Sequence, residues 1–241
     1  MSNNFTDKFK GMSKAEVRMG RVPNPNLGKG AYLVNTVRMH DGRTGGFRAE
    51  VLLTCLWPIE KGQTYDGKEM DANRAGDKVS VCFFSGEYFL TGFKNFCLKA
   101  IGKESHEELE IANVVCPADK YPKLSELERI ALMWEEILPA KVCAVDVEGE
   151  PSDAGVFDGQ VVVELSTTEK RVNTLVDKTK SDTEDNWTFD KEGNPIFKVY
   201  KNTYFNRKIP MQEVGENLDE DGIKRFFGSI ENFMELVEED K

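Results

Sequence analysis

The segment from Ile196 to Ile209 places positive charges beside aromatic rings. Its 14 positions include four basic and four aromatic side chains. Successive side chains of an extended strand point to opposite faces. One face would carry Lys198, Tyr200 and Tyr204, and the other would carry Phe197, Val199 and Phe205. The first face offers rings that can stack on bases and cations that can contact phosphates, which is the surface that single-stranded nucleic acid requires.

Other rings and cations of the chain could extend this surface. The ring candidates for base stacking are Tyr200, Tyr204, Trp187, Phe189 and Tyr32. The cation candidates for phosphate contacts are Lys198, Lys201, Arg207 and Lys208 in the same segment, Arg38, Arg43 and Arg48 in a first predicted hairpin, and Lys170 and Arg171 in a predicted loop. The pattern contains no base-specific signature, so we expect binding that tolerates any sequence.

The same pattern has a simpler alternative. A strand can bury its rings in a core while its lysines extend their charged ends into solvent. For each ring taken alone, a place in the core is at least as good an explanation. The binding hypothesis depends on the repetition of ring beside cation in two predicted β regions.

Charge is distributed unevenly along the 241 residues. The net charge of −10 by itself disfavours a polyanionic partner. Residues 1–103, however, hold 16 Lys and Arg against 10 Asp and Glu, whereas the last 31 residues hold 10 acidic groups against 3 basic ones. A basic groove can therefore exist on an acidic protein.

The composition predicts a cytoplasmic protein. No run approaches 18 apolar residues, so no membrane span is expected, and the N-terminal MSNNFTDKFKGMSK lacks the apolar stretch of a secretory signal. The five cysteines are widely spaced and form no CxxC pair. This usage predicts reduced core cysteines and neither a disulfide framework nor a zinc site.

Sequence motifs for catalysis are absent. The chain contains no GxxxxGK[ST] phosphate loop, no GxGxxG after a predicted strand, and neither GxSxG nor HExxH. Its two histidines, His40 and His106, lie in a predicted turn and a predicted helix cap. We therefore predict no enzyme, no metal site and no cofactor. A metal-dependent nuclease that uses Asp146, Glu148 and Glu164 is kept as an alternative, although a solvated face explains these carboxylates as well.

The chain begins with a polar, basic arm over residues 1–29 and then changes to a β pattern. From Gly30 a period of two predicts the strands AYLVNTVRM, FRAEVLLTCLWPI and KVSVCFF, with a polar loop over 61–77 before the third. Later segments of the same kind are KVCAVDVEG, GQVVVELST and a hairpin over 186–205. A long polar connection, TTEKRVNTLVDKTKSDTEDN, separates them.

A helical insertion near 88–138 interrupts the strands. Apolar residues from Leu90 to Ile101 have helical spacing and end at Gly102, and Ser105 with Glu108 has capping-box spacing. Ser125 with Glu128 repeats that spacing before a helix whose predicted apolar face holds Leu127, Ile130, Ala131, Trp134, Ile137 and Leu138. The order of elements predicts a mainly β fold with helices (α+β), an OB-like antiparallel β-barrel over 30–210, with a β-sandwich as the nearest alternative.

The acidic extension over 211–241 ends in a predicted amphipathic helix, GIKRFFGSIENFMELVEEDK. A single helix would gather its apolar residues into one stripe. The candidates for binding a partner are Phe226, Phe227, Ile230, Phe233 and Met234. Docking on a second subunit or on another protein, with residues 215–222 as a flexible tether, is one hypothesis. Docking on its own barrel is the alternative.

The chain resembles bacteriophage single-stranded DNA-binding proteins of the OB-fold type. The resemblance rests on Gly30-Ala31-Tyr32-Leu33-Val34, on the helices near 90–138, and on the hairpin that ends in Tyr204-Phe205-Asn206-Arg207-Lys208. It covers residues 28–210 and implies single-stranded DNA binding in phage replication or recombination, in the host cytoplasm. The acidic end departs from the family pattern, because Glu238-Glu239-Asp240-Lys241 follows a predicted helix and has no terminal aromatic residue. A phage structural or protein-interaction protein without nucleic-acid binding is the alternative.

Overall fold

The protein has a mixed α+β fold, as the sequence predicts. The computed structural model describes residues 24–41, 47–84, 89–102, 108–137 and 161–240. Within these ranges the six strands of one antiparallel sheet are β1 (Gly28–Asp41), β2 (Phe47–Gln63), β3 (Glu69–Met70), β4 (Lys78–Phe84), β5 (Val161–Asn173) and β6 (Phe197–Ile209). The six α-helices are α1 (Phe89–Ala100), α2 (Glu108–Val115), α3 (Glu126–Leu132), α4 (Met211–Asn217), α5 (Glu220–Phe227) and α6 (Ile230–Glu239).

The sheet curls around the first helix. Its strand order is β3–β2–β1–β5–β6, and β4 pairs with β2 on the side away from β1. Three strands therefore separate β4 from β6, yet the rings of Phe83 in β4 and Phe205 in β6 have centroids 6.1 Å apart. The ring of Phe96 in α1 lies 4.7 Å from that of Phe205. We call this concave side, which α1 covers, the inner face.

The curled sheet is not a closed barrel in the part of the chain that the structure describes. No ladder of hydrogen bonds joins β4 to β6 among those residues. The α+β class and the antiparallel sheet are thus confirmed, while closure into a barrel is not observed among the described residues. None of the described helices has the length and apolar character needed to cross a membrane.

The opposite side of the sheet, the outer face, is half covered by the three C-terminal helices. Leu33 of β1, Val162 of β5 and Ile209 of β6 form one buried cluster with residues of these helices. Ile223, Phe227 and Phe233 are the helical side chains buried in that cluster, and the rings of Phe227 and Phe233 are 5.0 Å apart. The extension therefore packs on the sheet of its own chain.

This packing corrects the prediction for residues 215–241. The segment is not one helix, because Gly228 adopts a φ of +83° and ends α5, and the hydroxyl of Ser229 accepts a hydrogen bond from Asn232 N at the start of α6. The predicted tether over 215–222 is also wrong, since α4 and the start of α5 occupy most of it. Of the partner-binding candidates, Phe227 and Phe233 are buried, Phe226 and Ile230 are partly buried, and Met234 is exposed.

The middle of the chain agrees more closely with the sequence. α1 ends at Ala100, before Gly102 with a φ of +72°. The Ser125–Glu128 capping box is present, with Ser125 N donating to the Glu128 carboxylate over 2.8 Å. Leu127, however, is exposed and not part of the buried face. Arg129 is buried instead, and its guanidinium donates to Asn113 Oδ1 and Cys116 O. The predicted cap at Ser105 lies outside the described residues.

The last two strands correct the predicted pairing. β5 continues to Asn173, through a stretch that the sequence predicts as a polar connection. It pairs with β6 from Val162–Ile209 to Asn173–Phe197. The predicted hairpin over 186–205 is wrong, because Trp187 and Phe189 form only isolated bridges. Polar residues are compatible with this part of β5 because both faces of the strand meet solvent there. The predicted strand KVCAVDVEG lies outside the described residues.

The two sides of α6 give a paired test of this packing. Phe233 is 3% exposed and its neighbour Met234 is 50% exposed. Replacing Phe233 by Ala should lower the free energy of unfolding by about 3–5 kcal/mol, because it empties part of a packed core. Met234→Ala should change it by less than about 0.5 kcal/mol. Chemical denaturation measures both, and equal small effects would show that α6 does not pack on the sheet.

Candidate nucleic-acid interface

A stripe of polar and aromatic side chains occupies the uncovered half of the outer face. It consists of Lys198, Tyr200, Asn202 and Tyr204 of β6 together with Lys170 of β5. The antiparallel register sets Tyr204 opposite Ser166 and Tyr200 opposite Lys170. Tyr200 is 48% exposed and Tyr204 is 50% exposed. Both rings are therefore free to meet a ligand, and we call this surface the β5–β6 stripe.

A β-bulge positions the stripe. Glu164 pairs with Arg207 and Leu165 pairs with Phe205, so Asn206 is an extra residue in β6. Beyond the bulge, Ile209 enters the core of the C-terminal helices on the outer face, whereas Phe205 enters the inner core. The Asn206 side chain holds the bulge by donating to Glu164 Oε1 over 3.1 Å and accepting from Ser166 Oγ over 3.2 Å. The bulge therefore leaves Tyr204 and Tyr200 on the outer face.

Five of the predicted cations of β5 and β6 divide into two groups. Lys170, Lys198 and Lys201 are exposed, and none of them forms an ion pair within the described ranges. Arg207 and Lys208, in contrast, are bound to the acidic helices, Arg207 through Glu213 and Lys208 through Asp240. Only the first group is available for phosphates, because the charges of the second group are already compensated inside the molecule.

Arg207 lies at the centre of the charged junction between sheet and helices. Its guanidinium donates two hydrogen bonds to the Glu213 carboxylate, over 2.8 Å and 2.6 Å, and its Nε contacts Glu164 at 3.2 Å. Lys29 Nζ lies 2.9 Å from the same Glu164. The hydrogen bonds from Arg207 lower the pKa of Glu213. Burial raises the pKa of Glu164, but the hydrogen bonds from Lys29 and Asn206 and the nearby positive charges outweigh it and lower the pKa.

Arg171 has a supporting role beside the stripe. Its guanidinium lies over the ring of Phe197, 4.0 Å from the centroid. The ring of Tyr65, in the loop between β2 and β3, packs edge-on against the Phe197 ring, with the two centroids 5.4 Å apart. Tyr65 N also donates to the Glu169 carboxylate over 3.3 Å. These contacts fix the β5–β6 hairpin against the rest of the sheet, so the candidate cation Arg171 is engaged with a ring of its own chain.

The loop between β5 and β6 carries two of the ring candidates. Trp187 is partly buried and its Nε1 donates to Asp182 Oδ1 over 2.6 Å. The buried Asn186 organises the loop, because its amide donates to the carbonyls of Asp177 and Ser181. Phe189 is exposed beyond this network. Phe189 thus remains accessible, whereas Trp187 is held by its own loop.

Tyr32 is not part of the surface. It is buried in the inner core, and its hydroxyl donates to Asn73 Oδ1 over 3.0 Å. The same oxygen accepts from Asn26 N, and the Cys55 thiol donates to Asn73 O. Burial is the main reason why the pKa of Tyr32 is raised and that of Cys55 is raised to about 12. The network holds the loop before β4 against the sheet, so Tyr32 has a structural role and the stacking prediction for it is wrong.

Several predicted residues lie beyond what the structure describes. Arg43, Asp146 and Glu148 are outside the described residues, as is His106. Arg38 and Arg48 belong to β1 and β2 by their backbones, and Arg48 pairs with Phe84 of β4. The one nuclease candidate that can be placed, Glu164, is bound to Lys29 and Arg207. Within the described ranges no group of three or more His, Cys, Asp and Glu side chains could hold a metal ion.

An exposed ring beside the stripe is absent from the predicted candidates. Phe84, the last residue of β4, is 61% exposed. It lines an open groove of about 450 Å³ between β4 and β6, together with Tyr204 and Lys201. The alternation of β4 contained the signal, because Val79 and Val81 point into the inner core and Phe84 falls on the opposite phase. The apolar run KVSVCFF hides this phase, since it reads as a strand buried on both faces.

The Arg207–Glu213 pair makes a prediction about acid stability. A carboxyl with a lowered folded-state pKa stabilises the protein above the ordinary value of 4.5, and this contribution disappears as the pH falls through the lowered pKa. Glu213→Gln should therefore cost about 0.5–1 kcal/mol at pH 7, since the pair is partly exposed. Its difference from the unmodified protein should vanish in acid. Glu216→Gln in the same helix is the control, and identical denaturation curves for both variants at pH 7 would refute the pair.

No protein-family model and no curated protein matches this chain. The resemblance based on Gly30–Val34 and Tyr204–Lys208 therefore stays a prediction.

Proposed function

We propose that the protein binds single-stranded DNA, without base preference, through the β5–β6 stripe. One observation carries this proposal: Tyr200 and Tyr204 are half exposed on a strand whose neighbouring lysines, Lys170, Lys198 and Lys201, lack ion pairs among the described residues. An aromatic ring in water loses the stabilisation that burial would provide, and an uncompensated cluster of cations repels itself. Bases and phosphates satisfy both kinds of group at once.

The geometry of β6 suits a strand of unpaired nucleotides. Tyr200 and Tyr204 are four residues apart, which is about 13 Å along an extended strand. This distance is too long for their rings to stack on one another. Each ring is therefore a separate platform for a base, with Lys198 on the same face of the strand. On β5, the hydroxyl of Ser166 opposite Tyr204 and the hydroxyl of Thr168 opposite Asn202 continue the polar surface.

The sheet itself supports the same proposal. β1 lies between β2 and β5, β4 adjoins β2, β6 adjoins β5, and helices connect β4 to β5 along the chain. A partly open OB-type barrel has this order of strands and commonly binds oligonucleotides on its surface. Together with the resemblance to phage single-stranded DNA-binding proteins, this order supports our proposal that the protein acts in phage DNA replication or recombination in the host cytoplasm. A role in recruiting other proteins, or in self-assembly, remains a separate proposal for the exposed side of the C-terminal helices.

The proposal predicts a preference for single strands and a defined dependence on salt. Fluorescence anisotropy with labelled oligonucleotides should show tighter binding to single-stranded than to duplex DNA. The slope of log K against log salt is negative, and its magnitude should fall by about 2 when Lys170, Lys198 and Lys201 are all replaced by Gln, at about 0.7 per phosphate contact. Arg207→Gln should leave the slope unchanged. Equal affinity for duplex, or a slope insensitive to the three lysines, would contradict the proposal.

The two tyrosines give a second prediction. Tyr200→Ala and Tyr204→Ala should each weaken binding by about 1–3 kcal/mol, the range expected for loss of one stacked base. Tyr200→Phe and Tyr204→Phe keep the ring and should bind normally. The midpoint of thermal unfolding should change little in all four variants, because these side chains are exposed. If the alanine variants unfold early and bind normally once folded, the rings serve the fold and not the ligand.

A further inference from the structure

The groove between β4 and β6 is a feature that the β5–β6 stripe does not explain. It holds about 450 Å³ and is lined by Ser80–Phe84 on one side, Lys201–Tyr204 on the other, and Asn24 and Pro25. The two strands run in the same direction, because four antiparallel pairings, an even number, separate β4 from β6 along the sheet. Tyr204 belongs both to this groove and to the stripe.

The lining combines three chemical types. The rings of Phe84 and Tyr204 are 61% and 50% exposed, which leaves aromatic surface on both sides of the groove. Lys201 adds a cation that has no ion pair within the described ranges. Asn24 and Asn202 add side-chain amides, each of which can donate and accept hydrogen bonds. An aliphatic ligand would use only the rings, whereas a nucleotide has a counterpart for all three.

Packing does not account for the exposure of Phe84. The neighbouring Phe83 supplies the ring for the inner core, where it contacts Phe93 and Phe96. Phe84 follows it on the opposite phase of β4. A polar side chain there would keep the strand and avoid exposed apolar surface. The ring is therefore left available to a ligand.

We infer that this groove is a nucleotide subsite that accepts one unstacked base against the rings of Phe84 and Tyr204, with its phosphate at Lys201. The inference rests on the proposed function and deepens it. A base can enter only after it has left the stack of a duplex, so the subsite gives a structural reason for selecting unpaired DNA. The amides of Asn24 and Asn202 are adaptable donors and acceptors, so they favour a base without fixing which one.

The test is a cycle of one protein substitution and one DNA modification. Full-length protein and its Phe84→Ala variant are titrated with a thymidine oligonucleotide and with an abasic oligonucleotide of equal length. Phe84→Ala should weaken binding of the thymidine strand by about 5- to 100-fold. It should leave binding of the abasic strand unchanged, because that strand has phosphates but no base to stack. Leu127→Ala, another exposed apolar side chain, is the control.

The outcomes separate this inference from the proposed function. If the protein binds no single-stranded DNA, both fail. If Tyr200→Ala weakens binding but Phe84→Ala does not, the β5–β6 stripe stands and the groove is not a base subsite. Equal losses on thymidine and abasic strands would also overturn the inference, because the contact would then not involve a base. Photocrosslinking with 5-iododeoxyuridine should label Phe84 or Tyr204, and a label confined to other residues would overturn it independently.

Discussion

The burial of the sheet centre on both faces is the constraint on which the rest of the structure depends. In β5, Val163 and Leu165 face the core that α1 covers, while Val162 faces the core of the C-terminal helices. The segment is apolar except at Glu164, which is paired with Lys29 and Arg207, and it must be covered from two sides. Among the described residues, the outer ends of β5 and β6 and the open edge near β4 lie beyond these two covers. The proposed binding surface thus lies where the covering helices stop.

Electrostatics follows the same division. The acidic residues of α4 and the end of α6 take up Arg207 and Lys208, and Glu164 shares Arg207 with them. The negative charge of the extension is therefore partly spent on holding it to the sheet. Lys198 and Lys201, farther along β6, lie beyond this junction and form no ion pair among the described residues. A protein with net charge −10 can accordingly offer a positive surface, because its opposite charges are separated in space as well as along the chain.

Local signals in the sequence were sufficient for the parts of the fold that local interactions decide. The capping box at Ser125, the glycine after α1 and the period of two in β1 and β2 all predicted what is observed. Tyr200 and Tyr204 were expected on an exposed face, and they lie there. The residues whose roles differ from the prediction depend on partners far away in the sequence. Tyr32 is buried beneath a loop around Asn73, and Arg207 forms an ion pair with Glu213 of α4. At Gly228-Ser229 the end of α5 and the start of α6 are adjacent. The apolar periodicity continues across both residues, so the sequence predicts one helix there.

The bulge at Asn206 has a consequence for how this protein can vary. A strand without it would have a single phase, and inserting or deleting one residue would turn every side chain on one side of the change to the wrong face. The extra residue already separates β6 into two lengths of opposite phase, one joined to the helices and one presenting the tyrosines. Changes in the second length need not disturb the first. The two parts of β6 can therefore vary separately. Residues of the part with the tyrosines could change during evolution while the part that supports the helices stays the same.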